Sequence, residues 1–198
     1  LVDKILKMCS SSTRKDINKL LNYKEDSAGS IMTVEYAELK SEYKISEAVN
    51  VLKSNYEEYE TINTCFVVDK KRKLIGTVSL ADLLFNDKNK IINDITRDEI
   101  IFCNTNTDQE EVAEMFKKYD LSIMPVVDSE NRLVGIITID DVVDVLEEEA
   151  SEDIAKISGM LPTEKPYLKL SLWDIYKSRM PWLLFLMISA TFTGAIIS

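Results

Sequence analysis

The sequence predicts an α/β fold in which two copies of one small unit pair about a pseudo-twofold axis, followed by further helix. Three observations predict it: an internal repeat, a strand–turn–strand pattern inside each copy, and an apolar run closing the 198-residue chain.

The repeat is read at two offsets. Thr33, Glu47 and Val49 recur 63 positions later as Thr96, Glu110 and Val112. Val67-Val68-Asp69, Leu74, Gly76 and Asp82 recur 59 positions later as Val126-Val127-Asp128, Leu133, Gly135 and Asp141. The difference places a four-residue insertion in the first copy, near Asn55 to Asn63.

Each copy opens on a helix. Ile45, Ala48, Val49 and Leu52 share one face of Ile45 to Ser54, and Val112, Met115 and Phe116 do the same in the second copy. A β-branched strand follows (Cys65 to Asp69, or Met124 to Asp128), then a charged turn (Lys70 to Lys73, or Ser129 to Arg132). A second strand, Leu74 to Leu80 or Leu133 to Ile139, leads into a helix starting around Asp82 or Asp141. A unit of about 60 residues buries little of its own surface, so the two copies are expected to share a core.

Composition narrows the function classes. Hydrophobic residues make up 45% of the chain, which fits a packed core, and five glycines with four prolines leave no loop-rich scaffold. Net charge is −10, and eight acidic residues fall between Asp140 and Asp153 with no basic residue among them. Such a chain repels phosphate backbones, and no lysine- or arginine-rich stripe offsets this, so no nucleic acid partner is expected. Histidine is absent, which removes the commonest general base, the His-activated nucleophiles and the commonest zinc ligand. With neither a glycine-rich phosphate loop nor a paired-carboxylate cleft visible, an enzyme is not expected. Cys9, Cys65 and Cys103 are far apart, odd in number and follow no secretory signal, which reads as reduced thiols.

No charge follows Arg179, and Trp182 to Ser198 is predominantly apolar for 17 residues. A membrane helix needs roughly 20 residues, with about 17 as the lower limit. The run therefore reads as a membrane helix cut short, and its Gly, Ser, Ala and Thr residues suit packing inside a bilayer. The alternative is a buried helix of a soluble domain, against which Trp182 to Ile188 leave almost no polar face. Lys165, Lys169, Lys177 and Arg179 before the run place residues 1–180 on the cytoplasmic side of a cell membrane.

The order helix, PVVD-type strand, turn, L-x-G strand and S/T-x-x-D resembles a CBS domain, present twice. Ser79-Leu80-Ala81-Asp82 and Thr138-Ile139-Asp140-Asp141 hold the S/T-x-x-D positions. In CBS pairs this motif often holds a nucleotide's ribose. The resemblance thus implies Ser79, Asp82, Thr138 and Asp141 as binding residues for ATP or another adenine nucleotide. Many CBS copies keep the motif for the strand-to-helix geometry alone.

Three further stretches resemble the MgtE family of magnesium transporters. Leu21 to Thr33 is similar to that family's joint before its first CBS domain, with Lys24 where Pro is frequent. Leu146 to Ile154 is similar to its acidic stretch, and Arg179-Met-Pro-Trp-Leu-Leu to the entry of its first membrane helix. The resemblance implies a remnant of a helical N-terminal domain at 1–26 and CBS domains at 27–90 and 91–150. An acidic linker and connecting helix would follow at 151–180, with Leu168, Leu172, Trp173 and Tyr176 on one side from Tyr167 to Met180, and the start of a transmembrane helix at 181–198. It also implies a homodimer.

Taken as a helix, Asp140 to Asp153 places Asp141, Asp144, Glu148 and Glu152 within about 80° of one another. Val142, Val143, Leu146 and Ala150 then lie opposite, to pack on the paired units. One reading is a solvated face. The other is a cation site: like charges at this spacing cost a few tenths of a kcal/mol per pair, and acids near a helix C-terminus oppose its dipole. Carboxylates without His or Cys suit Mg2+, which needs one or two of them and keeps its waters; Ca2+ also fits such a cluster. The resemblance implies Asp120, Asp141, Asp144, Glu149, Glu152 and Asp153 as metal-holding residues. The expected function is the regulatory cytosolic region of a magnesium transporter or channel, sensing Mg2+ and gating the pore. The alternative is an adenine-nucleotide-sensing CBS module of a membrane transporter, since the fold alone names neither.

Overall fold

A computed structural model describes residues 21–157 and 172–197, in two compact units divided at Val142/Val143. Most of the expected helical remnant (1–20) and part of the linker (158–171) lie outside the described residues.

Within the first unit, a short helix α1 (Ala28–Ile31) precedes the first copy: β1 (Tyr36–Lys40), α2 (Ile45–Ser54), β2 (Thr61–Val68), β3 (Leu74–Ser79) and α3 (Leu80–Phe85). The second copy follows as β4 (Cys103–Asn104), α4 (Gln109–Tyr119), β5 (Ile123–Val127), β6 (Leu133–Thr138) and α5 (Ile139–Ile157), the last running into the second unit. Each copy holds a three-stranded sheet, β1-β2-β3 or β4-β5-β6, with the first pair parallel and the second antiparallel. The tandem CBS-type α/β arrangement expected from the repeat is what forms. The insertion becomes a 3-10 turn (Tyr56–Glu58) and an early start to β2.

Side-chain alternation along the strands builds three cores. Cys65, Val67 and Val78 face inward with Ile45, Ala48 and Leu52 of α2. Met124, Val126 and Ile137 do the same with Val112 and Phe116 of α4. The opposite faces carry Phe66, Val68, Leu133 and Ile136, which meet as a third core between the copies, with Tyr36 edge-on to Phe66. Because both faces are buried, the strands read as unbroken apolar runs rather than alternating ones. The Cys65 and Cys103 thiols are buried and free, and burial pushes each up to about 12.

Asp69 and Asp128, matched by the repeat, cap equivalent turns. Each Oδ1 accepts two backbone N–H groups, from Lys71 and Lys73 at 2.7 and 2.8 Å, and from Glu130 and Arg132 at 2.9 and 3.0 Å. Arg72 and Asn131 take the left-handed conformation that closes these turns. The turns then pair with one another across the pseudo-axis, Leu74 N–H donating to Asn131 O and Leu133 N–H to Arg72 O.

The connecting segments cross over. The segment before the first copy lies on the second: Ala28 N–H donates to Thr107 O (2.7 Å), Gly29 N–H to Thr105 O (2.9 Å), and Thr33 exchanges two backbone bonds with Ile136. The segment between the copies lies on the first, with Ile92 N–H donating to Tyr43 O (2.8 Å) and Arg97 exchanging two bonds with Thr77. Both repeat glycines sit under these crossings. A methyl group at Gly76 would collide with the Arg97 carbonyl, and one at Gly135 with Met32 and the Thr33 carbonyl.

The second unit contains most of α5 and the 26-residue helix α6 (Leu172–Ile197), which includes Pro181 although that residue cannot donate the i to i−4 bond. One helix thus spans the expected boundary between connecting and membrane segments. No helix among the described residues is long and apolar enough to cross a membrane.

Replacing Gly76 or Gly135 by Ala should each destabilise the fold by about 1–3 kcal/mol through overpacking at the crossings, read as a lower midpoint in urea denaturation followed by circular dichroism.

Candidate functional site

The first S/T-x-x-D motif is a helix cap. Ser79 precedes α3; Asp82 N–H donates to Ser79 Oγ (3.0 Å), while Ser79 Oγ (2.6 Å) and Ser79 N–H (3.2 Å) donate to Asp82 Oδ2. Arg97 adds a guanidinium, its Nη2 lying 3.0 Å from Asp82 Oδ2 and 3.3 Å from Oδ1. The Ser79 hydroxyl first, and Arg97 with it, hold the Asp82 carboxyl below the usual range. Arg97 was not singled out in the sequence, although it follows Thr96, one of the repeat markers.

The second motif is arranged differently. Thr138 Oγ1 donates to Asp141 Oδ2 at 2.9 Å. Thr33, which pairs with Ile136 as Arg97 pairs with Thr77, holds the matching place at the second crossing, so no guanidinium clamp is repeated there. The Thr138 hydroxyl also lies within reach of Asp140, whose carboxyl it holds below the usual range with help from backbone N–H groups at the start of α5. Thr138 and Asp140 border a half-open cavity of about 250 Å3 that is also lined by Ser122, Ile123 and Ile139 of the second copy and by Glu60, Thr61, Asn63 and Thr64 of the first. The insertion in the first copy therefore builds one wall of this cavity. Among the expected nucleotide-binding residues, Thr138 lines it; Ser79, Asp82 and Asp141 do not. The lining has two carboxylates and no cation, so it suits a hydroxyl-rich or cationic group better than phosphates.

The acidic helix forms from Ile139 to Ile157 as expected, but it is turned by about a quarter of a revolution. Val142 and Val145 are the buried residues, whereas Val143 (46% exposed), Leu146 (50%) and Ala150 face outward. The expectation that Val143, Leu146 and Ala150 pack inward is therefore corrected: Val142 and Val145, three residues apart, form a tighter buried seam. Glu149 and Glu152 continue that seam along the helix and are half-buried; Asp144, Glu147, Glu148 and Asp153 are exposed, and Asp141 is half-buried. Asp120 ends α4 in the left-handed conformation, its N–H donating to Phe116 O. Among the described residues, no three Asp, Glu or Cys side chains converge as a preformed metal cluster. Mg2+ held through its own waters by one or two carboxylates is compatible with the spacing along α5.

Lys156 lies just beyond the acidic stretch that the sequence pattern marks. Its Nζ lies 3.1 Å from Glu152 Oε2 and 3.8 Å from Asp153 Oδ1, one turn or less along the helix. The stretch from Asp140 to Asp153, which holds no basic residue, is thus offset by a lysine three residues beyond its end.

The CBS domain family matches residues 28–88 and 92–148. The chain is 38% identical over 185 residues to the magnesium transporter MgtE of Thermus thermophilus, covering 93% of this chain and 41% of that protein. It is 36% identical to the MgtE of Bacillus subtilis, covering 98% and 42%. The chain thus spans about two-fifths of the length of the curated relatives it matches. Among solved structures, it is similar to the cytosolic domain of the Mg2+ channel MgtE in complex with ATP (TM-score 0.69, 38% identity, 72% of this chain and 58% of that one). The soluble part of a magnesium transporter is also similar (TM-score 0.70, 38% identity, 75% and 58%).

Removing the first cap with Ser79→Ala should cost about 1 kcal/mol in thermal or urea unfolding. Because the folded Asp82 carboxyl is depressed, its stabilising contribution is present above the carboxylate's unfolded value and lost as pH falls through its folded one. The Ser79→Ala penalty should therefore shrink in urea melts repeated toward pH 3.

Proposed function

The chain belongs to the CBS-domain family and is homologous to the cytosolic region of the MgtE magnesium transporters, and from that premise we propose that it senses Mg2+ through α5 and controls a membrane pore carried elsewhere in the full protein. The observation that carries this reading is the half-buried pair Glu149 and Glu152, set in line with the Val142–Val145 seam. The two lie about one turn apart on the same side of α5, a spacing from which carboxylate oxygens can hold a hydrated Mg2+ through its waters. Asp120, Asp141, Asp144 and Asp153 are the further oxygens proposed to complete the sites, shared with neighbouring parts of the family's full-length protein.

The switch is a two-state one. With Mg2+ scarce, the carboxylates of α5 and those of its neighbours repel, and the assembly opens. With Mg2+ abundant, the same carboxylates hold shared ions and the assembly closes. The shift is limited by the difference in affinity between the two states, so several weak sites acting together give a steep response. Helix α6, whose Trp182 to Ile188 are all apolar and exposed, is proposed as the route into the cell membrane, with residues 1–180 on the cytoplasmic side. The outward stripe Ile139, Val143, Leu146 and Ile154 is proposed to contribute to a homodimer. CBS domains at 27–90 and 91–150 form the regulatory pair.

A second ligand is supported by the cavity beside Thr138. The similar MgtE cytosolic domain was solved with ATP, and the cavity's hydroxyls and carboxylate suit the ribose and base of an adenine nucleotide, the phosphates lying outside it.

Titrating the chain with Mg2+ under limited proteolysis tests the sensor. Residues 147–153 should gain protection with Mg2+ and not with K+, and the Glu149→Gln/Glu152→Gln variant should lose most of that gain. An unchanged Mg2+ response in the variant removes these residues from the sensor. In a thermal-shift assay without divalent ions, ATP should stabilise the wild type and have a markedly weaker effect on Thr138→Val.

A further inference from the structure

We propose that Lys156 is a built-in competitor for the Mg2+-sensing carboxylates, occupying Glu152 and Asp153 when Mg2+ is scarce and thereby setting both the threshold of the sensor and its indifference to monovalent ions. This inference rests on the sensing role proposed for α5.

The geometry is specific to one lysine. Its ammonium approaches Glu152 Oε2 at 3.1 Å and Asp153 Oδ1 at 3.8 Å, so one cation covers two adjacent carboxylates. Both spacings, i to i+4 and i to i+3, are those at which helix side chains meet, and Glu preceding Lys is the favoured order. Among the described residues of α5, Lys156 is the only cation. Glu152 is the more shielded of its partners, 44% exposed against 73% for Asp153.

A tethered ammonium acts as a monovalent cation at high effective concentration. A K+ or Na+ ion that displaces it exchanges one unit of charge for another and gains nothing electrostatically. A divalent ion gains a full unit in the same exchange. Hydrated Mg2+ also contacts both carboxylates through its waters, which replaces the two contacts that Lys156 gives up. The lysine therefore raises the Mg2+ concentration needed for half-response while suppressing the background from monovalent salt. Exposed ion pairs are weak, so the expected displacement is modest, about two- to five-fold in concentration.

The test is a Mg2+ titration of the full chain by limited proteolysis at low and high KCl. The variants are Lys156→Met, Lys156→Arg and Lys88→Met, the last changing net charge equally at an exposed loop of the first unit. Lys156→Met should lower the half-response concentration about two- to five-fold and make it rise more steeply with KCl; Lys156→Arg should stay near wild type, and Lys88→Met should leave both unchanged. If Lys156→Met and Lys88→Met shift alike, or neither shifts, the competitor role is overturned while the sensor stands. If the wild type shows no Mg2+ response, the sensing role itself falls, and this inference with it.

Discussion

The exchange of connecting segments between the two copies is the constraint on which the rest of the fold depends. Residues 27–33 hydrogen-bond to the second copy, and residues 91–97 to the first. Neither copy is complete without backbone that belongs, by sequence, to the other's approach. The shared core of Phe66, Val68, Leu133 and Ile136 adds hydrophobic burial, but that is non-directional; the paired bonds at Thr33–Ile136 and Thr77–Arg97 fix the register. Two glycines at equivalent positions keep these crossings close enough for the bonds to form.

The pseudo-symmetry is exact in topology and broken in chemistry. Arg97 reaches Asp82 because the crossing segment delivers it there, whereas at the matching crossing the residue paired with β6 is Thr33, which carries no cation. The first strand-to-helix turn is thus a closed electrostatic unit, and the second keeps its hydroxyl and carboxylates beside a cavity. The four-residue insertion acts in the same sense, since its residues form a wall on the side of Thr138. A duplicated scaffold thus carries one motif closed by an ion pair and one left beside a cavity that both copies line.

Much of this was legible in the sequence. The repeat located both long strands of each copy and both amphipathic helices, because apolar periodicity is strong there: α2 begins at Ile45 and ends at Ser54 as read. Strands β1 and β4 were not legible; they are short and parallel, and their pairing is set by partners about 25 residues away rather than by a local turn. The rotation of α5 is not legible for a related reason. Its residues offer two apolar stripes, Val142–Val145 and Val143–Leu146–Ala150, and periodicity alone does not choose between them. Arg97 and Lys156 carry no sequence signal of their role because each acts from just outside the motif it serves, across a distance that a long, flexible side chain spans.

The crossing at Thr33 also determines where a mechanical input is felt. Any displacement of the chain ahead of Ser27 pulls first on Thr105, Thr107 and Ile136, not on the copy that follows it in sequence. Ile136 lies in β6, the strand from which α5 departs. An upstream tug therefore bypasses the nearer domain and arrives within three residues of the acidic helix, making the first copy an anchor rather than a relay.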